Sequence, residues 1–292
     1  MSTFLQLVVN GLGKGAVYAL LALGFVIIFK STEVINFAHG SLVLFGGYIV
    51  VVTRESLGWA GASVLGIVSA GLLALIIERL LLSRPKLADP ASLALLTIGV
   101  DVIVTEEIVR RIGVRVPFIG DAWDAKPVRI GEITLFRTHL IALAVAAVLI
   151  TAFYLAFKYS NWGVAMRAQA ENREAAALMG IRTSRVTATA WLVAGLLAGV
   201  AVLFIATQDF SGAGLSRGTH SIALAAFPAA ILGGLDSTAG AVVGGLVVGI
   251  VEALSAQYIS FDFSKSAVFL VMLVVLVIRP SGLFGTREST RV

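Results

Sequence analysis

The sequence predicts an all-α polytopic membrane protein, and three observations support that prediction. Of 292 residues, 58% are hydrophobic and 13% are charged, against about 45–50% and 25% in soluble domains. The mean hydropathy is +0.97. The apolar residues gather into stretches close to the roughly 20 residues that an α-helix needs to cross a layer about 30 Å thick.

On that ruler about nine spans are expected, within a range of about 8 to 10: 4–29, 38–53, 59–82, 91–109, 139–157, 187–207, 219–235, 239–257 and 265–278. The second and the seventh are short and interrupted by glycine. Either could be a broken or re-entrant helix, which is tolerable only where protein or a cavity surrounds it. No linker divides the chain, so residues 1–292 are expected to form one membrane domain. The start, Met1-Ser2-Thr3-Phe4, lacks the basic region of a signal peptide, and the first span is expected to remain.

Glycine organises the spans. Gly11 and Gly15, Gly195 and Gly199, Gly240 and Gly244, and Gly245 and Gly249 are each four residues apart, the spacing that lets membrane helices approach closely. Gly233-Gly234 opens a dense run to Gly245 that reads as tight packing near a transport path. Val34-Ile35-Asn36-Phe37-Ala38-His39-Gly40 has a similar texture, a polar break leading into a Gly-rich span, so a twofold internal repeat is possible.

The polar interval of about 158–187 contains a short Ala-rich helix with its own boundaries. Asn172 suits an N-cap, Glu174 sits in the first turn where a negative charge complements the helix dipole, and Gly180 suits the left-handed position after the last turn. Placing this loop in the cytoplasm, with the N-terminus outside and the C-terminus inside, puts Lys30, Arg79, Arg84, Lys86, Arg287 and Arg291 among an inner majority of the 22 Lys and Arg. The 110–137 loop falls outside, where Asp121, Asp124 and Glu132 dilute its basic residues.

Several chemistries are disfavoured. There is no cysteine, so disulfides, thiolate metal sites and a cysteine nucleophile are excluded. His39, His139 and His220 have no metal-ligand spacing. Gly11-Leu12-Gly13-Lys14-Gly15 resembles a phosphate loop but lacks the earlier glycine and the following hydroxyl. Gly214-Leu215-Ser216-Arg217-Gly218 satisfies the nucleophile-elbow pattern but lies in a loop between spans rather than between strand and helix. The net charge of +5 is spread between spans and reads as membrane topology, not as nucleic-acid binding.

Ionisable residues at membrane depth are costly and therefore functional candidates. Asp101 lies about midway along the fourth span, where it could line a path, pair with a partner chain, make a polar helix contact or carry a proton. Asn36 and His39 flank the break before the second span and are candidate lining residues. Glu106 and Glu107 are within reach of Arg110 and Arg111 on a helix. Glu252 and Asp209 read as solvated charges near the outer surface.

Six segments in order resemble one family, the permease subunits of branched-chain amino acid ABC importers. They are Asn10-Gly11 with 18–24, 34–40, Leu96-Thr97-Ile98-Gly99, 167–181, 233–245, and Arg279-Pro280-Ser281-Gly282-Leu283-Phe284-Gly285. Within the family the chain looks like the shorter of two permeases. Glu174-Ala175-Ala176 with Gly180 resembles the first half of the importer coupling motif; the Leu-Pro of its second half is absent, which points away from sugar and phosphate permeases. Lys14 departs from the small or apolar residue usual there, so it either snorkels outward or the first span begins after Ala16.

The resemblance implies a permease that moves branched-chain or related amino acids inward, with no enzymatic activity or cofactor of its own. ATP would be bound by two partner ATPase subunits, docked on Arg167, Glu171, Glu174, Ala175, Ala176 and Gly180. A longer permease would complete a heterodimeric pore in the lipid of a bacterial inner membrane, and a periplasmic binding protein would deliver substrate. Asn36, His39, Asp101, Gly233 and Gly234 are the expected pathway residues. The alternative is an ion-coupled secondary transporter that uses Asp101. The cargo, whether leucine-like, an amide or another small carboxylate, is left open.

Overall fold

A computed structural model describes residues 2–82, 89–114, 116–120, 127–130, 133–212 and 214–285. Arg84, Lys86, Arg287, Arg291, Asp121, Asp124 and Glu132, counted above for topology, lie outside these. The chain folds as α1 (Ser2–Thr32), α2 (His39–Ile77) continued by a π-helical turn Glu78–Leu82, α3 (Pro90–Ile112), a short antiparallel hairpin of β1 (Val128–Ile130) and β2 (Ile133–Leu135), and α4 (Arg137–Tyr159). Next come α5 (Asn161–Glu171), α6 (Arg173–Leu178), α7 (Thr183–Ile205), α8 (Gln208–Ser211), α9 (Arg217–Leu224), α10 (Ala226–Gly233), α11 (Thr238–Tyr258) and α12 (Phe261–Ile278).

Six helices among the described residues are long and apolar enough to cross a membrane. The difference from about nine has physical causes. The second and third expected spans belong to one stretch, His39–Leu80, which would extend about 63 Å if straight, twice the apolar layer. It does not run straight, because Gly58 adopts φ 69° and ψ 175° and turns the chain. The limbs on either side fold back so that Gly66 packs on Gly46 and Val50. The fourth, α3, carries Asp101, Glu106 and Glu107. The seventh is broken into α9 and α10 at Ala225, as its glycine-interrupted sequence allowed.

Small residues set the core. A Cβ on Gly15 would stand 2.8 Å from the Leu246 Cα, and one on Gly249 would collide with the backbone of Gly15 and Gly11. Gly195 and Gly199 are seated in the same way, with a Cβ 2.6 Å from the Ala70 oxygen and the Ile67 Cα respectively. Gly240 and Gly244 fit against Gly233 and Ala229 of α10. Each glycine pair read from the sequence thus faces a helix that approaches at backbone distance.

The two main seams repeat one another. Gly11 meets Gly249, Ile250 and Ala253; Gly195 meets Ala70, Gly71 and Ala74, the same pattern of positions. Gly15 then meets Leu246 and Gly199 meets Ile67, each one turn earlier on the partner helix. So α1 with α11 is built like α7 with the second limb of α2. The buried Gln169 joins Ser31 at the end of α1 to Thr187 near the start of α7, which puts both points on one face of the molecule. The two central helices therefore run in opposite directions, and the two seams are related as in an inverted repeat.

Candidate functional site

One face of the molecule is built by α5, α6 and the ends of the spans. Asn172 leaves the helical region (φ −156°) and its side chain accepts from the Ala175 N–H at 2.9 Å, capping α6. Gly180, at φ +85°, closes the helix in the left-handed conformation, and the Ile181 N–H returns to the Ala176 carbonyl at 3.0 Å. Ala176 is buried, while Glu174, Ala175 and Gly180 face outward. Leu178 and Met179 are 88% and 84% exposed, so a two-turn helix presents an apolar tip to its surroundings.

That tip is mounted firmly. The amide of Gln169 donates to the Ser31 carbonyl at 2.7 Å and to Thr187 at 3.1 Å, binding α5 to both central helices. The Arg167 guanidinium donates to the Phe157 carbonyl and lies over the Phe157 ring, closing the end of α4. Arg167 and Glu171 also border a cleft of about 640 Å³, with Lys30, Glu33 and Asp236 on its other walls.

A second polar cluster stands deep in the span region. Asp101 lies about 16 Å along α3 from Pro90 at 1.5 Å per residue, near the middle of a 30 Å layer. Its carboxylate accepts from the Ser41 N–H at 3.2 Å, in the first turn of α2, so an acid from one helix caps another. His220 Nε2 stands 2.9 and 3.0 Å from the two Asp101 oxygens. One turn before Asp101, Thr97 accepts from the Phe37 N–H at 3.0 Å. Nearer the far end Arg217 grips Glu106 with two contacts of 2.5 and 2.8 Å. Glu106 thus reaches across to α9, whereas Glu107 takes both Arg110 and Arg111 as the helical spacing predicts.

Asn36, His39, Gly233 and Gly234 make none of these contacts themselves. His39 is fully buried, with its ring against Gly24 and 4.5 Å from the Phe25 ring. Asn36 is also enclosed, and its side-chain oxygen accepts from the Ala38 N–H at 3.0 Å to shape the turn into α2. Gly233 and Gly234 form the joint between α10 and α11. Gly234 takes φ +105°, and the terminal segment is laid against the joint by the Leu283 and Phe284 N–H groups, which donate to the Leu232 and Gly233 carbonyls at 2.8 and 3.0 Å. Ser216 caps α9 by accepting from the Gly218 N–H at 3.1 Å; the nucleophile-elbow pattern is a helix start.

Lys14 is neither outside the first helix nor alone. It contacts Glu252 at 3.4 Å, and the Tyr18 hydroxyl donates to the same carboxylate at 2.5 Å. Glu252 is therefore paired across the α1–α11 seam rather than simply solvated. Asp209 accepts from the Thr138 hydroxyl at 3.4 Å. Removing one member of a charged pair in such a seam costs more than removing both. Lys14→Met is expected to lower the melting temperature of the purified protein more than Lys14→Met with Glu252→Gln, a coupling of about 1 kcal/mol in a double-mutant cycle. Additive effects would refute the pairing.

Sequence reasoning missed His220, Gln169, Leu178 and Met179. The signal for His220 was weak, since only the fold brings it to Asp101 across 119 positions. Leu178-Met179 was legible as an apolar pair at the end of a polar helix.

The family model described as branched-chain amino acid transport system / permease component matches residues 7–278. The high-affinity branched-chain amino acid transport system permease protein LivH of Escherichia coli (strain K12) is 30% identical, over 99% of this chain and 98% of its own length. The corresponding protein BraD of Pseudomonas aeruginosa is 27% identical over the same shares. A probable branched-chain amino acid transport permease of Methanocaldococcus jannaschii is 29% identical over 91% of this chain and 88% of its own. Among solved structures, a chain of PsaBC from Streptococcus pneumoniae in complex with Fab has a similar fold, with TM-score 0.51 and 16% identity over 94% of this chain and 90% of that one.

Proposed function

Because this chain belongs to the branched-chain amino acid transport permeases, we propose that it forms one half of the pore of an ABC importer that carries branched-chain or related amino acids into the cytoplasm. Two separate ATPase subunits bind and hydrolyse ATP, so the chain itself holds no cofactor. A second, longer permease completes the pore in the bacterial inner membrane, a periplasmic protein delivers the substrate, and lipid surrounds the rest. The ion-coupled alternative built on Asp101 has no support in the family.

The observation that carries this reading is the capped, apolar-tipped α6. Leu178 and Met179 are too exposed to serve the core, and contact with a partner groove would cover them. The Gln169 bonds then offer a route for force, because α5 cannot shift without pulling on the end of α1 and the start of α7. Glu174 and Ala175 flank the tip, and the methyl of Ala175 permits close approach while keeping helix propensity.

The absence of cysteine provides a direct test. With Ala175→Cys as the only thiol in the chain, a short crosslinker applied to native membranes is expected to capture a protein that carries a phosphate-loop motif. A thiol that reacts with soluble reagents yet captures no such protein would overturn the assignment of α6 as the docking element.

A further inference from the structure

An ionisable pair near the middle of a membrane has to face protein or water, because exposing an ionised group to hydrocarbon costs several kcal/mol. Asp101 and His220 are 14% and 12% exposed along their side chains, so the pair is open on one side in the isolated chain. The pair joins α3 to α9, and polar or aromatic groups flank it in both directions in a strip along α3. Toward the α5–α6 face come Phe37 and Phe227, with ring centroids 5.8 Å apart and both only partly buried, and then the cleft bordered by Lys30 and Glu33. Toward the opposite face comes the Glu106–Arg217 pair.

From this strip, and resting on the importer reading above, we propose that Asp101 and His220 form a two-point station for the charged head group of an amino acid in transit. The chemistry is an exchange of partners. The resting pair holds a carboxyl group against an imidazole; a zwitterion entering the strip sets its ammonium on the Asp101 oxygens and its carboxylate on the His220 ring N–H. The zwitterion is itself net neutral, so the exchange brings no net charge to this depth and gives each charged end of the ligand a partner. The Ser41 N–H, at the start of α2, holds Asp101 in place while His220 turns to the ligand. Phe37 and Phe227 offer an apolar surface beside the station for an aliphatic side chain. A station that must release its cargo works best when the internal pair competes with it, and here that competitor is built in.

The test uses the assembled importer in proteoliposomes with leucine, the binding protein and both kinds of partner subunit. Asp101→Asn and His220→Gln are each expected to lower leucine uptake per ATP hydrolysed at least tenfold, while stimulation of ATP hydrolysis by the loaded binding protein persists. The double variant keeps a hydrogen-bonding pair across the same gap but has no charge. Uptake that stays low in it supports the station; uptake restored to the level of the parent means that the pair only ties α3 to α9, and overturns it.

A second measurement does not depend on those variants folding. Single cysteines at Phe37 and Phe227 are expected to react with a membrane-impermeant thiol reagent and to be protected by leucine during turnover, with Val148→Cys on the exposed face of α4 as an unreactive control. Failure to react, or reaction indifferent to leucine, would overturn the proposal. Loss of the importer reading would show separately, as absence of ATPase subunits from the purified complex.

Discussion

Gly249→Leu is expected to leave almost no folded protein in the membrane. A Cβ at this position has no space, because the Gly15 nitrogen and the Gly11 oxygen of α1 already occupy it. These neighbours are backbone atoms of a helix and cannot rotate away as a side chain would. The helices would have to separate along their whole contact, and α1 is the helix around which the apolar core is gathered. Overpacking by a methylene in an ordinary core costs about 1–3 kcal/mol. Forcing two membrane backbones apart adds the loss of dispersion contacts on both sides, and total stability is only about 5–15 kcal/mol. Yield of monodisperse protein after detergent extraction reads the outcome, with Gly99→Leu as control because nothing lies within 4 Å of a Cβ there. A well-folded Gly249→Leu protein would mean that the seam is looser than described.

Leu178→Asp with Met179→Asp should have the opposite character, with normal folding and abolished transport. Both side chains are almost fully exposed, so no core contact is lost and two carboxylates remain well hydrated. Under the proposed function the same two positions are pressed into the ATPase, where an unpaired carboxylate would be desolvated at a cost of several kcal/mol. Uptake is expected to fall by more than a hundredfold and the ATPase to be lost from the purified complex, while the melting temperature of the isolated permease changes by less than about 2 °C. Transport that survived both charges would remove α6 from the interface.

The fold was legible wherever the signal was local. The lengths of the first, fifth, sixth, eighth and ninth expected spans, the glycine pairs and the two ends of α6 follow from period, spacing and capping, and each is found in the structure. Where the outcome depended on one backbone torsion or on distant residues meeting, the sequence was ambiguous. Gly58 follows the polar run Thr53-Arg54-Glu55-Ser56, so the break between the second and third expected spans was legible, but nothing local showed that one glycine torsion makes the reversal within a continuous helical stretch. Asp101 was recognisable as an ionisable group at depth, yet its partners come from the start of α2 and from a broken helix more than a hundred residues away. His39 was a candidate for lining a path because its local sequence is polar; enclosure by Gly24 and Phe25 is a property of the packed halves.

The seam between α1 and α11 also sets a timetable for biosynthesis. Lys14 and Glu252 are 238 residues apart in the chain, and at about 5–20 residues per second the ribosome needs roughly 12 to 48 s to make that interval. Throughout it the glycine face of α1, with its lysine, has entered the bilayer without the helix that will cover it. The other seam, between α2 and α7, can close much sooner. The nascent protein therefore assembles from the middle outward, and its first helix waits for nearly the last, sheltered by α7 and α4 or by the insertion machinery until the carboxylate arrives.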